Sequence, residues 1–317
     1  MTFSQTVKKE IIEKRIDNDC CVLARLAGLI KAMGSLSISR GTMSFSCENE
    51  SEDVLKHLLD LIKIHYGYTL EEIKINSIAK GSYLFEEVEI PFDIGQDILL
   101  EIGAIERTGA GNLQINDGVE NHLLKEDCCK KAFIAGLFLG CGTVSHPVLK
   151  NSGYHFEFEL VSKFVAHDVM NLLADFDLSP RMVERKEKFV VYFKESDAIF
   201  DMLVFMGATK AGLSLQNLKI QRHVKNNINR QANCQTANAE KAVASAVKEI
   251  VAIQTIATTI GIDGLDPRLE KVALARLNYP ELSLNDLLTK IEEPLTKSGL
   301  RYRLEKIIEI AKELNGG

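Results

Sequence analysis

The sequence predicts an α+β protein: a duplicated αββαββα domain, then a helical linker, then an all-α helix-turn-helix domain. Three observations predict it. Leu26-Ala27-Gly28-Leu29-Ile30-Lys31-Ala32-Met33-Gly34 recurs 108 residues later as Ile134-Ala135-Gly136-Leu137-Phe138-Leu139-Gly140-Cys141-Gly142, and Asp-Cys-Cys precedes both copies at the same spacing (Asp19-Cys20-Cys21, Asp127-Cys128-Cys129). Such self-similarity at a fixed offset marks a duplication. Alternating apolar and polar residues follow each copy, the period of a half-buried strand. From Leu213 onward the alternation stops, and Leu213–Ile260 contains neither Pro nor Gly. The expected divisions are a first repeat over residues 1–106, a connector at 107–122, a second repeat at 123–212, a helical linker at 213–260 and the helix-turn-helix domain at 261–317.

The elements follow in order. Ser4 to Arg15 reads as a helix with Val7, Ile11 and Ile12 on one side. Asp19 is placed to cap the helix that carries the first motif and ends at Gly34. Leu36–Ser39 and Thr42–Cys47 read as strands, with Phe45 and Cys47 alternating against Ser44 and Ser46. Ser51 caps a helix with Val54, Leu55, Leu58, Leu59 and Ile62 at helical spacing, stopped by Gly67. Strands are expected near Glu71–Ser77 and Tyr83–Ile90, then a short helix from Asp93 to Ile102. Residues 107–118 are polar and rich in Gly and Asn, as a connector is. The second unit repeats the order: a helix from about Leu123 to Gly142, a strand at Tyr154–Leu160, a helix at Ser162–Phe176, a hairpin of Arg181–Glu184 with Phe189–Lys194, and a helix capped by Ser196 ending near Gly207. The linker reads as a long helix with an interruption near Asn226–Asn233.

The C-terminal unit has the strongest local punctuation. Asp266-Pro267 is an N-cap followed by Pro at the first helical position. Ser283-Leu284-Asn285-Asp286 is a variant capping box, and Glu292-Glu293-Pro294 ends the short helix it opens. Thr296 or Ser298 caps a last helix with Leu300, Leu304, Ile307, Ile308 and Ala311 inside. Its start carries Lys297, Ser298, Arg301, Tyr302 and Arg303, with Lys306 one turn on. That is where a recognition helix meets base edges and phosphates, and Arg, Ser and helix N–H groups suit both. Ser283 at the cap of the preceding helix joins this candidate DNA-binding set. The bland alternative is a three-helix bundle with a solvated basic face.

Charge agrees with this placement. The net charge of −6 divides into −10 over residues 1–206 and +4 from Gly207 onward, and no acid lies between Asp201 and Glu240. A polyanionic partner therefore suits the C-terminal third. No apolar run reaches the roughly 18 residues of a membrane span, and Met1-Thr2-Phe3-Ser4 does not start like a signal peptide. A cytoplasmic protein is expected. Seven cysteines show no secreted disulfide framework. The vicinal pairs invite a metal hypothesis, but adjacent residues at a helix start point apart and no Cys-x-x-Cys accompanies them. They are expected to be small buried residues behind an Asp N-cap, with no metal and no cofactor.

The repeated motif resembles that of the LAGLIDADG homing endonucleases, whose two motif helices pack side by side across a pseudo-twofold axis. In active relatives each helix end delivers an acid to a divalent metal. Here those positions hold Met33 and Cys141, with Lys31 at the motif's earlier acid. The resemblance therefore implies the fold without the two-metal chemistry, and no catalytic residue is expected. Glu87, Glu89, Glu157 and Glu159 on candidate strand faces also disfavour phosphate. A degenerate duplicated domain of this kind joined to a helix-turn-helix is similar to the WhiA family. The resemblance includes Asn229-Arg230-x-x-Asn233-Cys234-x-x-Ala237-Asn238, Ser283-Leu284-x-x-Leu287 and Lys297-Ser298-Gly299-Leu300-x-x-Arg303-Leu304. It implies a bacterial, nucleoid-associated, double-stranded-DNA-binding transcriptional regulator linked to sporulation, or to cell division and chromosome segregation, with a possible protein partner on the duplicated domain and no small-molecule substrate. Arg222, Lys225, Arg230 and Asn233 have two readings, DNA-backbone contacts or helix-interrupting groups that set an interdomain angle. A residual metal-dependent nuclease and a protein scaffold without DNA binding stand as the alternatives.

Overall fold

The computed structural model describes residues 2–39, 42–68, 73–80, 83–109, 111–145 and 153–315. The chain divides into two compact units, Met1–Gln221 and Arg222–Gly317.

The first unit is organised about two helices of equal length at the duplication offset, α2 (Asp19–Met33) and α5 (Asp127–Cys141), preceded by α1 (Phe3–Glu13). They touch at backbone distance because glycine lets them. A Cβ on Gly28 would lie 2.1 Å from the Phe133 carbonyl oxygen, and one on Gly136 would lie 2.1 Å from that of Arg25. The two contacts are reciprocal under the 108-residue offset, which is the signature of a pseudo-twofold axis. Gly140 faces Ala32 in the same way. Around this axis pack Leu26, Ala27, Leu29, Phe133, Ile134, Leu137 and Phe138, all buried.

Each motif helix feeds a four-stranded antiparallel sheet. The first sheet has the order β1-β2-β4-β3, from β1 (Gly34–Ser39), β2 (Thr42–Asn49), β3 (Ile75–Lys80) and β4 (Tyr83–Ile90). The second repeats it as β7-β8-β10-β9, from β7 (Gly142–Ser145), β8 (His155–Leu160), β9 (Arg181–Arg185) and β10 (Lys188–Phe193). The sheets are backed by α3 (Glu52–Tyr66) and α4 (Phe92–Glu101) in the first repeat, and by α6 (Lys163–Ala174) and α7 (Ser196–Met206) in the second. Phe45, Cys47, Phe156, Phe158 and Leu160 point into the core as the alternation requires. On the opposite faces, register places Glu48 beside Glu87 and Ser46 beside Glu89, and Glu159 pairs with Lys188 at 3.3 Å.

Several boundaries differ from expectation for identifiable reasons. Asp19 and Asp127 are the first helical residues, and the N-caps are Asn18 and Glu126, neither of which makes a side-chain cap bond. Asp19 instead meets His65 Nδ1 at 2.9 Å. Ser51 is an N-cap by position without a side-chain bond, and Glu195 rather than Ser196 precedes α7. The connector contains a small hairpin, β5 (Ile105–Arg107) with β6 (Leu113–Ile115), and a 3-10 turn at Asn121–Leu124 precedes α5, so the second motif helix starts later than expected. Leu113 packs against the core, which gives that polar stretch an anchor. Residues 71–72 of the strand expected at Glu71–Ser77 lie outside the described residues.

The cysteine expectation holds for Cys21 and Cys129, which are buried, and fails for Cys20 and Cys128, which are exposed, and for the separation of the two pairs. The Sγ atoms of Cys20, Cys21, Cys128 and Cys129 all lie within 4.8 Å of one another. Neighbouring side chains do diverge on one helix, but the pseudo-twofold axis sets a second diverging pair opposite the first.

The linker is one unbroken helix, α8 (Thr209–Thr259), of 51 residues. No interruption occurs at Asn226–Asn233. The asparagines there point outward along the helix, where Asn227 meets His223 one turn back at 3.3 Å, so they leave the backbone ladder intact. Glu10 of α1 receives hydrogen bonds from the backbone N–H groups of Lys210 (2.7 Å) and Ala211 (2.9 Å). That satisfies two of the orphan donors at the start of α8, and a carboxylate is favoured there by the helix dipole.

The second unit packs the end of α8 against α9 (Pro267–Asn278), α10 (Leu284–Leu288) and α11 (Lys297–Asn315). Ile253, Ile256, Val272, Ala273, Leu287, Leu300, Leu304 and Ile307 form its core. A buried ion pair, Arg276 Nε to Glu249 Oε2 at 2.8 Å, ties α9 to α8. Ser245 Oγ donates to the other oxygen of Glu249, and Arg276 Nη1 donates to the Leu282 carbonyl, so the pair sits inside a polar network.

Candidate nucleic-acid interface

α10 and α11 form the second and third helices of the C-terminal bundle, and their caps are built as the sequence suggests. Ser283 Oγ accepts from the Asp286 backbone N–H (3.3 Å) and donates to the Asp286 carboxylate (2.7 Å). Thr296 Oγ1 accepts from the Gly299 N–H at 3.1 Å, which starts α11 at Lys297. Leu300 and Leu304 hold the inner face. The opposite face of the first turns therefore points outward by helical geometry.

On that face Lys297, Ser298, Arg301, Tyr302 and Lys306 are exposed, and Tyr302 reaches 67% exposure. Lys297 and Arg301 make no ion pair among the described residues. Both border a groove of about 440 Å³ together with Ser283 and Asn285 of α10 and Asn238, Lys241 and Ser245 of α8. Glu305 lies at the rim of the same groove. Lys306 is partly neutralised by Glu309 at 3.0 Å.

Arg303 is placed differently from expectation. Its guanidinium forks onto Glu293, Nη2 to Oε1 at 2.8 Å and Nη1 to Oε2 at 3.1 Å, and its side chain is only 15% exposed. The two-point bond to Glu293 raises the Arg303 pKa and lowers that of the acid. Arg303 therefore braces the turn between α10 and α11 rather than joining the exposed set. A residue at position 303 follows Leu300 by three, which turns it towards the packed side of α11. Arg301 precedes Leu304 by the same three, so spacing alone does not separate the two, and the fork onto Glu293 does.

Along α8, Arg222, Lys225, Arg230 and Asn233 fall within one broad side at 100° per residue. Lys225, Arg230 and Asn233 are exposed and Arg222 is half-buried. Lys241 of α8, absent from the sequence-based set, borders the groove. Its relation to Asn238 and Ser245, three and four residues away on the same helix face, is the pattern that would have found it.

The ends of the motif helices have different chemistry. Asn49, buried, donates from Nδ2 to the Gly140 carbonyl at 3.0 Å and lies 3.7 Å from Met33 Sδ, so it spans both helix ends. Burial pushes the Cys141 thiol up to about 12, which keeps it protonated at neutral pH, and it donates to the Leu137 carbonyl at 3.4 Å. Burial lowers the pKa of nearby Lys8, and the charge of Glu50 opposes that shift. A thioether, a neutral thiol, an amide and an ammonium occupy this end of the axis. Hard divalent cations take oxygen ligands, chiefly carboxylates, and a lysine beside them adds repulsion. Lys31 leaves the axis altogether and donates to the Asn116 carbonyl at 2.7 Å. Asn49 and Lys8 were invisible as partners of this site in sequence, because β2 and α1 bring them from outside the motif.

Comparisons with known proteins agree with this architecture. Three family models match in succession: the WhiA N-terminal LAGLIDADG-like domain over residues 19–79, the WhiA LAGLIDADG-like domain over 130–225 and the WhiA C-terminal HTH domain over 228–311. The chain is 35% identical over 318 residues to a probable cell division protein WhiA of Caldicellulosiruptor bescii, covering 100% of this chain and 97% of that one. It is 34% identical to the protein of the same name from Clostridium beijerinckii, covering 99% of each. The crystal structure of full-length DUF199/WhiA from Thermatoga maritima shares the fold, with a TM-score of 0.56 at 24% identity over 99% of both chains. Three successive domain models and full-length relatives above 30% identity lead to one conclusion: the chain belongs to the WhiA family.

Proposed function

We propose that this chain is a non-enzymatic double-stranded-DNA-binding protein that regulates transcription in cell division and chromosome segregation, as the names of its relatives suggest for the division role. Its principal DNA contacts come from the helix-turn-helix. The observation that carries this reading is the exposed start of α11, where Lys297 and Arg301 border one groove with Ser283 at the cap of α10. The N–H groups of Lys297 and Ser298, ahead of the Gly299 N–H that Thr296 caps, add a phosphate-binding element. The basic side of α8 extends the same electrostatic character with Lys225 and Arg230. The acid-lined sheet faces around Glu87 and Glu89 make the duplicated domain a poorer DNA surface, so a protein partner suits it better. Association with the nucleoid follows from the DNA binding.

Fluorescence anisotropy with labelled chromosomal duplexes tests the reading. Wild-type affinity should fall steeply with salt, because displaced counterions drive binding. Lys297→Ala with Arg301→Ala should weaken binding by roughly tenfold to a hundredfold and lower the salt slope by about 1 for each phosphate contact removed. Arg303→Ala should instead lower thermal stability of the C-terminal unit. Unchanged, salt-insensitive binding in the Lys297/Arg301 variant would refute the interface. Incubation of the protein with supercoiled plasmid and Mg²⁺ should leave the plasmid intact; cutting that disappears in Met33→Ala or Cys141→Ala would overturn the non-enzymatic reading.

A further inference from the structure

At the opposite, N-terminal ends of the motif helices lies a chemical feature with no place in DNA binding. Four thiols meet there, two from each repeat, with all four Sγ atoms within 4.8 Å of one another. Cys21 and Cys129 are buried, while Cys20 and Cys128 are exposed. They alternate about the pseudo-twofold axis, Cys21 against Cys128 and Cys129 against Cys20, as the duplication offset demands. We propose that Cys20, Cys21, Cys128 and Cys129 form a tetrathiolate site for a soft divalent cation of the zinc class, which fastens the two repeats together at the head of their shared axis.

The geometry fits a single ion. A tetrahedral zinc with sulfur ligands at about 2.3 Å sets its sulfurs roughly 3.8 Å apart. The observed cluster needs an inward movement of about 1 Å or less per pair, within the reach of side-chain rotation. The four sulfurs form one group rather than two separated pairs, which suits a central ion better than a pair of cross-links. Ligand number and softness exclude magnesium and calcium, which take oxygen. The two exposed sulfurs give the ion a route in from solvent.

The electrostatics fit as well. Four thiolates around a divalent cation carry a net charge of −2, which needs compensation in a half-buried place. Both motif helices start at the cluster, so their positive ends face the sulfurs. Neither N-cap side chain bonds a first-turn N–H group, and the Asn18 and Glu126 carbonyls take those of Cys21, Val22, Cys129 and Lys130, so the N–H groups of Asp19, Cys20, Asp127 and Cys128 are the ones left for the sulfurs. Arg25, one turn beyond Cys21, is 5% exposed, and its Nε has no hydrogen-bond partner. One guanidinium nitrogen reaches only the Ile11 carbonyl, at 3.3 Å. A buried guanidinium without a carboxylate is costly unless an anion stands nearby, and the thiolate cluster supplies one. Lys14, Arg15 and Lys131 line the same small cavity that opens on Cys21 and Cys128.

The binding step is an exchange of protons for metal. Each sulfur forms a bond to the cation and releases its proton to solvent, so one metal ion displaces four protons and no electron moves. Neither oxidant nor reductant is required.

Cobalt(II) is the probe. The full-length protein, purified anaerobically with reductant and stripped with chelator, is titrated with Co²⁺ alone. The expected result is saturation at one equivalent, with the intense visible bands and sulfur-to-metal charge transfer of a tetrahedral thiolate complex, release of four protons per ion, and displacement of cobalt by Zn²⁺. Zinc should also raise the melting temperature of the first unit. Cys20→Ala with Cys128→Ala, both at exposed positions, should abolish the bands while circular dichroism stays that of the folded protein. Cys234→Ala, exposed on α8, should retain them. Absence of thiolate bands in the reduced wild type, bands that persist in the Cys20/Cys128 variant, or a mass showing disulfides in the anaerobic preparation would each overturn the proposal. Proton release by the wild type separates the outcomes even if the double variant misfolds: four protons per ion support the site, and none refutes it.

Discussion

Gly28 and Gly136 carry the duplicated motif's structural role at the scale of single residues. A methyl group on Gly28 would meet the Phe133 carbonyl oxygen at 2.1 Å and the Leu137 nitrogen at 2.8 Å. Backbone cannot yield as a side-chain tip does, so the two motif helices must separate. Gly28→Ala should cost about 1–3 kcal/mol and lower the melting temperature by several degrees, while Gly109→Ala, whose Cβ meets nothing within 4 Å, should leave it unchanged. Equal melting of the two variants would refute the close approach. His57 offers a second residue-level test. Burial, helped by the Arg25 charge, depresses its pKa to about 4, and its Nε2 has no partner. In the unfolded chain it titrates near 6.5. As pH falls below that value the unfolded state takes up the proton first, so stability is lost between pH 6.5 and 4, by up to roughly 3 kcal/mol. His57→Leu should flatten that part of the melting-temperature profile; parallel profiles would show that other groups govern it. Residue roles were legible in the sequence only where an element's geometry alone decides them. The small residues of the motif and the caps Ser283 and Asp266 are of that kind. Arg301 and Arg303 look alike in sequence, and only the position of Glu293 separates the exposed one from the braced one. The cysteine cluster was illegible for the same reason, since a pair on one helix says nothing about the pair placed opposite it.

Among the elements, the repeated strand order and the helix faces follow from period and spacing, and these were legible because a one-residue slip would expose a whole core face. α8 was legible as a helix but not as an unbroken one. Asparagine lowers helix propensity by a fraction of a kcal/mol per residue, which a long helix anchored at both ends absorbs. Its first anchor is Glu10 with Leu215 buried beyond it, and its second is Glu249 with Ile253 and Ile256. The second anchor makes a sharp prediction. Arg276 and Glu249 are 2% and 5% exposed at their side chains. Removing one charge leaves the other buried and unpaired, so Arg276→Ala or Glu249→Ala should each destabilise the C-terminal unit by about 3–5 kcal/mol. Replacing both with apolar residues of similar volume should recover most of it, because a buried pair adds little net stability over good packing. Thermal melts of the three variants decide the matter: a double variant as unstable as either single one would mean that the network with Ser245 and Leu282, rather than the pair, holds α9 in place.

For the molecule as a whole, the consequence of this construction is two cores joined by a helix that belongs fully to neither. The core of the first unit ends at Leu215 and that of the second begins at Ala252. From His223 to Ser245 the residues of α8 are exposed on every side. Such a stretch has backbone hydrogen bonds but little tertiary packing, so its local opening free energy lies near the bottom of the range for the protein. Opening there exposes Lys225, Arg230 and Lys241 to trypsin. Limited proteolysis should therefore cut first at these residues and leave two resistant fragments, each with its own cooperative melt. The C-terminal fragment should keep the salt-sensitive duplex binding, weakened to the extent that Lys225 and Arg230 contact the DNA backbone. The N-terminal fragment should keep the cysteine cluster. Bound duplex should slow cleavage at Lys225 and Arg230 if α8 lies against DNA, and leave it unchanged if α11 alone does the binding. First cleavage inside either core, or loss of folding in both fragments, would refute the division; protection confined to Lys241 would restrict the DNA surface to the groove between α8 and the start of α11.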